Sequence, residues 1–108
     1  MKRFKGKVAI VTGAGSGIGR STALRMDAEG AILIIVDINE DELTKTKSML
    51  TNAESTSKVL DISSPVDINK FFKDISKLDA LINVAGILRF DNSHEVQIDD
   101  WNKILDVN

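Results

Sequence analysis

Four glycines stand at every second position in the segment TGAGSGIG, Thr12 to Gly19, directly after the apolar run VAIV. A strand that turns through glycines into a helix presents free backbone N–H groups at the positive end of the helix dipole, where phosphate is the usual ligand. Glycine is needed where φ is positive and where a side chain would block a pyrophosphate. The segment therefore predicts a phosphate-binding turn at the start of the first helix.

The spacing of these glycines excludes two other phosphate motifs. A G-x-x-x-x-G-K-[ST] loop needs more widely spaced glycines and a lysine, whereas Arg20 follows Gly19 here. A G-x-G-x-x-G fingerprint needs glycine at position 18 or 20, where Ile18 and Arg20 stand. What remains is T-G-x-x-x-G-x-G, formed by Thr12, Gly13, Gly17 and Gly19.

One acidic residue follows the glycines at a distance that is typical of ribose recognition. Asp37 ends the apolar run AILIIVD, 18 residues after Gly19, and a ribose-binding acid is expected about 20 residues on. A carboxylate there accepts hydrogen bonds from the ribose 2′- and 3′-hydroxyls and repels a 2′-phosphate, which favours NAD over NADP. Two alternatives remain open. In the first, Asp37 only caps a loop and binds no ribose. In the second, Arg20 lies near enough to contact a phosphate.

The elements that position these residues alternate along the chain. Apolar runs predict strands over 8–11, 31–37, 57–62 and 79–87, and helical spacing predicts helices over 18–30, 39–50, 65–78 and 99–108. In the first helix, Ile18, Thr22 and Met26 share a face with Ala23 beside it, and Gly30 is the predicted stop. The predicted buried face of the third helix consists of Ile68, Phe71, Phe72 and Ile75. Alternation of this kind predicts βαβ units around a parallel sheet.

Composition restricts the class of protein. The 108 residues suffice for one small domain, and a net charge of -2 without a basic patch argues against a nucleic-acid partner. The basic start MKRFKGK is not read as a targeting peptide, because the apolar run after it is too short, and no segment is apolar for long enough to cross a membrane. A cytoplasmic protein is expected. With no cysteine and one histidine, His94, no metal site is expected.

Further landmarks give the chain a resemblance to a known family. Asp61 in LDI, the segment NVAG (Asn83 to Gly86) and Asn108 follow the glycine motif and Asp37 in the order of the short-chain dehydrogenase/reductase family. The chain resembles the N-terminal portion of that family. The resemblance implies an α/β fold with a Rossmann-like doubly wound parallel sheet, NAD as cofactor, a small alcohol or ketone as substrate, and a homo-oligomeric parent protein. The segments NVAG and VDINEDEL, with the compact third helix, are also similar to cytosolic (type 2) 3-hydroxybutyrate dehydrogenases, which implies a 3-hydroxy acid.

The resemblance also implies roles for single residues. The backbone of Ser16, Gly17 and Ile18 would line the pyrophosphate, and Ser16 stands where NADP-preferring relatives often have a basic residue. Asp61 would contact the adenine amino group with the amide of Ile62 beside it, although Asp61 is alternatively an N-cap for the following turn. Asn83 and Gly86 would pack the fourth strand against the glycine loop and flank the nucleotide. Val84 stands where the family often has a second asparagine, and Thr12 would tie the loop to the fourth strand.

The groups that perform hydride transfer in the family are not all matched. The family uses a serine, a tyrosine and a lysine, with an asparagine that orders a water of the proton relay; only the asparagine has a match, Asn108, and the chain contains no tyrosine. A sheet that stops after its fourth strand would expose an unpaired apolar edge. We therefore expect residues 1–108 to be an incomplete NAD-binding Rossmann domain, inactive alone and truncated after the fourth strand and its helix. A non-catalytic nucleotide-binding module and a fragment that does not fold stably remain alternatives.

Overall fold

The computed structural model describes residues 2–84 and the backbone of a short strand at 88–90. Four strands form a parallel sheet, and a fifth joins its edge in the order β3-β2-β1-β4-β5. This is the predicted α/β, Rossmann-like parallel sheet. The elements are β1 (Val8–Thr12), α1 (Gly17–Ala28), β2 (Ile32–Asp37), α2 (Glu40–Met49), β3 (Thr56–Val59), α3 (Pro65–Lys73), β4 (Ala80–Asn83) and β5 (Leu88–Phe90).

The edge of β4 differs from the prediction. β5 pairs antiparallel with β4 and places Phe90 opposite Ala80 and Leu88 opposite Ile82. The prediction of an unpaired apolar edge at β4 was therefore wrong. A strand of three residues is too short to produce a periodic signal in the sequence. β4 ends at Asn83, and the predicted final helix lies outside the described residues.

The sheet is covered on both faces because successive side chains of each strand point to opposite sides. In β1, Ala9 and Val11 join the core beneath α1 and α2, while Ile10 joins the core beneath α3. The first core continues through β2, β4 and the two helices with Leu33, Ile35, Ala80, Ile82, Ala23, Met26 and Leu43. The second contains Val36, Leu60, Ile68, Phe71, Leu78 and Leu81. The continuous apolar run that predicted β2 thus reflects burial on two faces.

Short polar residues and one glycine define the helix ends. Ser16, Asn39 and Ser64 are the N-caps of α1, α2 and α3. After α1, Gly30 has a φ of +93°. Its N–H donates to the Asp27 carbonyl at 3.0 Å, and the next amide donates to the Met26 carbonyl at 3.1 Å. This is a Schellman motif, and it confirms Gly30 as the stop signal.

The buried face of α1 agrees with its apolar spacing at Ala23 and Met26 but not at Ile18. Gly19, Ala23 and Met26 are buried, whereas the Ile18 side chain is 72% exposed. A Cβ at position 19 would lie 2.0 Å from the Gly13 carbonyl oxygen. The helix therefore packs through its smallest residues, which rotates Ile18 towards solvent.

In α3 the predicted face is confirmed over a shorter helix. Ile68 and Phe71 are buried, and Phe72 and Ile75 pack partly buried against the same core. Ile75 lies beyond the end of α3 at Lys73.

Candidate functional site

The glycine loop lies where the carboxyl ends of β1, β2 and β4 meet the N-terminus of α1. In an open α/β sheet this is the edge at which ligands bind. Ser16, Gly17 and Ile18 at the start of α1 are exposed, whereas Gly19 is buried. The amide of Ala14 donates to the Val36 carbonyl at 3.1 Å, which fixes the loop to β2.

Each glycine of the loop meets different surroundings. Gly13 has a φ of +65°, and Gly19 allows the contact between loop and helix described above. A Cβ at Gly15 would lie 2.9 Å from both the Asp37 Oδ2 atom and the Glu42 Cβ atom. A Cβ at Gly17 would have no described neighbour within 4 Å. Packing therefore explains Gly13, Gly15 and Gly19 but leaves Gly17 with open space in front of it.

Two backbone amides at the start of α1 are available to a ligand. Among the described residues, the N–H groups of Gly17 and Ile18 have no acceptor. The Ser16 amide is already used, because it donates to the Gly13 carbonyl at 3.0 Å. The Ser16 hydroxyl donates to that carbonyl at 2.7 Å and accepts from the Gly19 amide at 3.3 Å. Two free donors at a positive helix end form an anion site, and Ser16 shapes the loop that presents them.

Asp37 holds the glycine loop in addition to ending β2. Its Oδ2 atom accepts the Gly15 amide at 2.8 Å, and its Oδ1 atom accepts the Asn39 amide at 2.9 Å. Asp37 thus does cap loop backbone, with one amide bound to each of its oxygens. A carboxylate has about four acceptor positions, so the half-buried Asp37 retains the capacity to accept two ribose hydroxyls.

A small cavity adjoins this carboxylate. It has a volume of about 160 Å³ and is lined by Gly13, Val36, Asp37, Ile38, Leu60, Asp61 and Ile62. Four of the predicted cofactor residues, Gly13, Asp37, Asp61 and Ile62, therefore meet at one place. Apolar walls with a few polar groups are typical of small-molecule and cofactor sites.

Asp61 closes a turn at the rim of this cavity. It accepts the Ser63 hydroxyl at 2.6 Å and the Ser63 amide at 2.9 Å, and these two hydrogen bonds hold the pKa of the Asp61 carboxyl below its ordinary value. The N-cap of α3 is Ser64. The alternative in which Asp61 caps the following turn is therefore correct, and the contact with an adenine amino group stays a prediction.

The end of β4 packs against the loop, as predicted. Thr12 is in register with Asn83, and its hydroxyl donates to the Asn83 side-chain oxygen at 3.1 Å. Asn83 is buried, and a Cβ at Gly13 would lie 3.3 Å from the Val84 Cβ. The predicted site residues Gly86 and Asn108 lie outside the described residues.

The sequence did not predict a set of hydrogen bonds, here called the Arg20 brace, through which Arg20 and Thr46 link the loop to α2. The Arg20 Nε atom donates to the Thr46 hydroxyl at 2.9 Å, and one terminal nitrogen contacts the Glu42 carboxylate at 3.0 Å and the Gly15 carbonyl at 3.4 Å. The buried Thr46 hydroxyl donates to the Ala14 carbonyl at 2.8 Å. No local signal in the sequence indicates the contacts with α2, because they join residues 22 to 32 positions apart. Arg20 is therefore engaged by protein groups rather than open to a phosphate.

Apart from the glycine loop and its cavity, the described residues form one further large cleft. A larger cleft of about 610 Å³ lies between β3 and α3, and Asp61 is its only predicted cofactor residue. Across residues 2–84 no group of His, Cys, Asp and Glu side chains could hold a metal ion. None of the described helices is both long and apolar enough to cross a membrane.

Comparison with known proteins gives a consistent assignment. A family model for short chain dehydrogenases matches residues 7–108. The meso-2,3-butanediol dehydrogenase of Serratia marcescens is 33% identical over 109 residues, which cover 97% of this chain and 43% of that protein. Dehydrogenase/reductase SDR family member 6 of Rattus norvegicus is 35% identical over 108 residues, 100% of this chain and 43% of that protein. The chain thus spans less than half the length of these curated relatives.

A solved structure has the same arrangement of elements. The short chain dehydrogenase from Shigella flexneri 2a str. 301, complexed with NADP, superposes with a TM-score of 0.70 at 25% identity. The match covers 80% of this chain and 40% of that one.

Proposed function

The chain belongs to the short-chain dehydrogenase family of oxidoreductases, and from that premise we propose that it is the NAD-binding part of an enzyme that oxidises a small alcohol or reduces the corresponding ketone. The observation that carries the proposal is the pair of acceptor-free amides at Gly17 and Ile18, in the loop that Asp37 holds through Gly15. Residues 1–108 form the first part of one Rossmann domain in this proposal.

The pyrophosphate of NAD would lie at the start of α1. The amides of Gly17 and Ile18 supply two donors, and the helix dipole adds partial positive charge. The open space in front of Gly17 is what a phosphate oxygen needs in order to approach the backbone. Ser16, Gly13 and Gly19 give the loop the shape in which both amides point outward.

The side chains at the end of β2 favour NAD over NADP. Family membership leaves this choice open, because the Shigella flexneri relative was solved with NADP. The Asp37 carboxylate would accept the adenosine ribose hydroxyls and repel a 2′-phosphate. The cation beside it on α1, Arg20, is held by Glu42 and Thr46. No basic residue occupies position 16, where Ser16 stands.

The adenine would enter the cavity between Asp37 and Asp61. Ile38 and Ile62 provide apolar contact, and the Asp61 carboxylate with the Ile62 amide would recognise the edge of the ring. Asn83 and Gly86 would flank the nucleotide from the end of β4.

The residues that bind the substrate would belong mainly to the longer parent protein. NAD supplies the hydride-accepting ring, and the protein supplies position and electrostatics. Asn108 is the residue of this chain proposed to take part in proton relay. The name of the Serratia marcescens relative describes a small diol, which supports a small alcohol substrate, and a 3-hydroxy acid is the specific candidate.

We further propose that the parent protein is cytoplasmic and homo-oligomeric. Residues 1–108 alone are proposed to show no turnover, because the chain contains no tyrosine.

Substitution of Gly17 tests the binding site. A Gly17→Val side chain would enter open space, so the fold should keep its melting temperature while the affinity for NAD falls by about tenfold or more, equal to about 1.4 kcal/mol. Isothermal titration calorimetry with NAD measures this. Ala28→Val is the matched control, because Ala28 is exposed at the other end of the same helix.

Equal affinity of Gly17→Val and the wild-type chain for NAD would contradict the proposed position of the pyrophosphate. The parent activity has a separate test, the reading frame after the codon for Asn108. A serine followed by Tyr-x-x-x-Lys is expected there. A stop codon would instead favour the alternative of a non-catalytic nucleotide-binding module.

A further inference from the structure

The ion pairs of Glu42 suggest a role that the proposed function does not include. We propose that Glu42 is a specificity-determining residue: by binding Arg20 it keeps that guanidinium away from the adenosine ribose, and so adds to the discrimination against a 2′-phosphorylated cofactor. The inference rests on the proposed NAD site and concerns the selectivity of that site. A residue of α2 would then share with Asp37 the selectivity for NAD over NADP.

Arg20 lies close to the ribose-binding acid in the structure. Both residues contact Gly15: the Asp37 Oδ2 atom accepts its amide at 2.8 Å, and Arg20 approaches its carbonyl oxygen at 3.4 Å. The backbone of a single residue therefore separates the guanidinium from the carboxylate. A cation at that distance would attract a 2′-phosphate if its charge were not already paired.

Glu42 binds the Arg20 guanidinium through two acceptors. Its carboxylate binds a terminal nitrogen at 3.0 Å, and its backbone carbonyl accepts from the same nitrogen at 3.1 Å. The Arg20 side chain is only 24% exposed in this arrangement. Rotation of the guanidinium towards the ribose would break both contacts.

The same carboxylate also binds a second cation. Lys45 contacts the other Glu42 oxygen at 3.0 Å. Hydrogen bonds from Lys45 and from Arg20 hold the pKa of the Glu42 carboxyl below its ordinary value, so Glu42 is ionised at neutral pH. Removal of this one carboxylate would remove the charged partner of both Arg20 and Lys45.

A neighbouring acid, Glu40, serves as the control. It distinguishes the binding of Arg20 by Glu42 from the general repulsion of a phosphate by an acidic residue. Glu40 lies in the same first turn of α2, is exposed, and forms no ion pair within the described residues. Glu40→Ala removes the same charge as Glu42→Ala but leaves the ion pair of Arg20 intact. Alanine at position 42 keeps the Cβ that packs beside Gly15, so the loop should retain its shape.

The experiment titrates NAD and NADP into the full 108-residue chain and its variants by isothermal titration calorimetry, with melting temperatures as the folding control. We expect Glu42→Ala to raise the affinity for NADP relative to NAD by about tenfold, and Glu40→Ala to leave that ratio within about twofold. The double variant Arg20→Gln/Glu42→Ala should lose the gain, because the released guanidinium is absent.

The outcomes are distinguishable from those of the proposed function. If the wild-type chain binds NAD and the ratio is the same in Glu42→Ala, Glu40→Ala and wild type, the inference is wrong and the NAD site stands. If the double variant keeps the full gain, Arg20 is not the cation that Glu42 restrains, and the inference is again wrong. If the folded wild-type chain binds neither nucleotide, both proposals fail.

Discussion

Gly15 and Gly17 are two residues apart, yet a side chain at each would have different consequences. At Gly15 it would meet the Asp37 carboxylate and α2, whereas at Gly17 it would meet open space. Glycine at position 15 is explained by the protein's own packing, whereas packing does not require glycine at position 17. Under the proposed function, Gly17 is the residue that leaves room for the pyrophosphate.

Asp37 is expected to select the cofactor through its charge rather than its shape. In Asp37→Asn the side-chain oxygen can still accept one of the two amides that Asp37 binds, from Gly15 or Asn39. The loop should stay close to its present position, while repulsion of a 2′-phosphate is lost. We predict that the affinity for NADP relative to NAD rises by about tenfold, measured by titration calorimetry. An unchanged ratio in a folded Asp37→Asn variant would contradict the role of the carboxylate.

At the scale of elements, α2 fixes the glycine loop next to the start of α1. The buried Thr46 hydroxyl links the Arg20 side chain to the Ala14 carbonyl. The loop and two helices therefore meet through one hydroxyl group. The position of the free amides on α1 depends on this contact as well as on the glycines.

Thr46→Val tests this contact between elements. Valine has nearly the same shape but leaves the buried Ala14 carbonyl and the Arg20 Nε atom without their partner. The free energy of unfolding should fall by about 1–3 kcal/mol, measured by urea denaturation, and the NAD affinity should fall with it. Thr44→Val is the control, since Thr44 is exposed on the same helix and bonds only to its own helix backbone. Equal stability of both variants would show that the hydroxyl is not a link.

The sequence predicted those elements whose signals are local. β1, β2 and the stop at Gly30 follow from apolar runs and short-range hydrogen bonding, and the glycine motif with Asp37 pointed to the ends of β1 and β2 as the candidate site. The exposed side of α1 at Ile18 could not be predicted, because it results from the close contact of Gly19 with Gly13. The Arg20 brace and β5 depend on pairing between segments that are distant in the chain or too short to show a period.

For the whole molecule, the buried Asp27 carboxylate joins the end of α1 to the segment that follows α2. Asp27 at the end of α1 accepts the Thr51 hydroxyl and amide and the Asn52 amide, all within 3.1 Å. Burial raises the pKa of Asp27, but the hydrogen bonds from Thr51 and Asn52 outweigh it and hold the pKa below its ordinary value of 3.8. Because the folded-state pKa is the lower one, this stabilisation is complete above about pH 3.8 and is lost as the pH falls through the folded-state pKa.

We therefore predict a pH-dependent stability difference between the wild-type chain and Asp27→Asn. At neutral pH the variant should be less stable by about 1–3 kcal/mol, because an amide cannot accept all the hydrogen bonds. The difference should shrink as the pH falls below 3.8, since Asp27 becomes protonated in the wild type. Urea denaturation at pH 7 and at several acid values measures it. A difference that is constant over this range would show that the Asp27 charge does not stabilise the fold.

The central claim is that the loop from Gly13 to Gly19 and the Asp37 carboxylate form an NAD site. The most direct test is a calorimetric titration of the folded wild-type chain with NAD and, separately, with NADP. We predict saturable binding of one NAD per chain, about tenfold or more tighter than that of NADP. Absence of NAD binding, or tighter binding of NADP, would contradict the account.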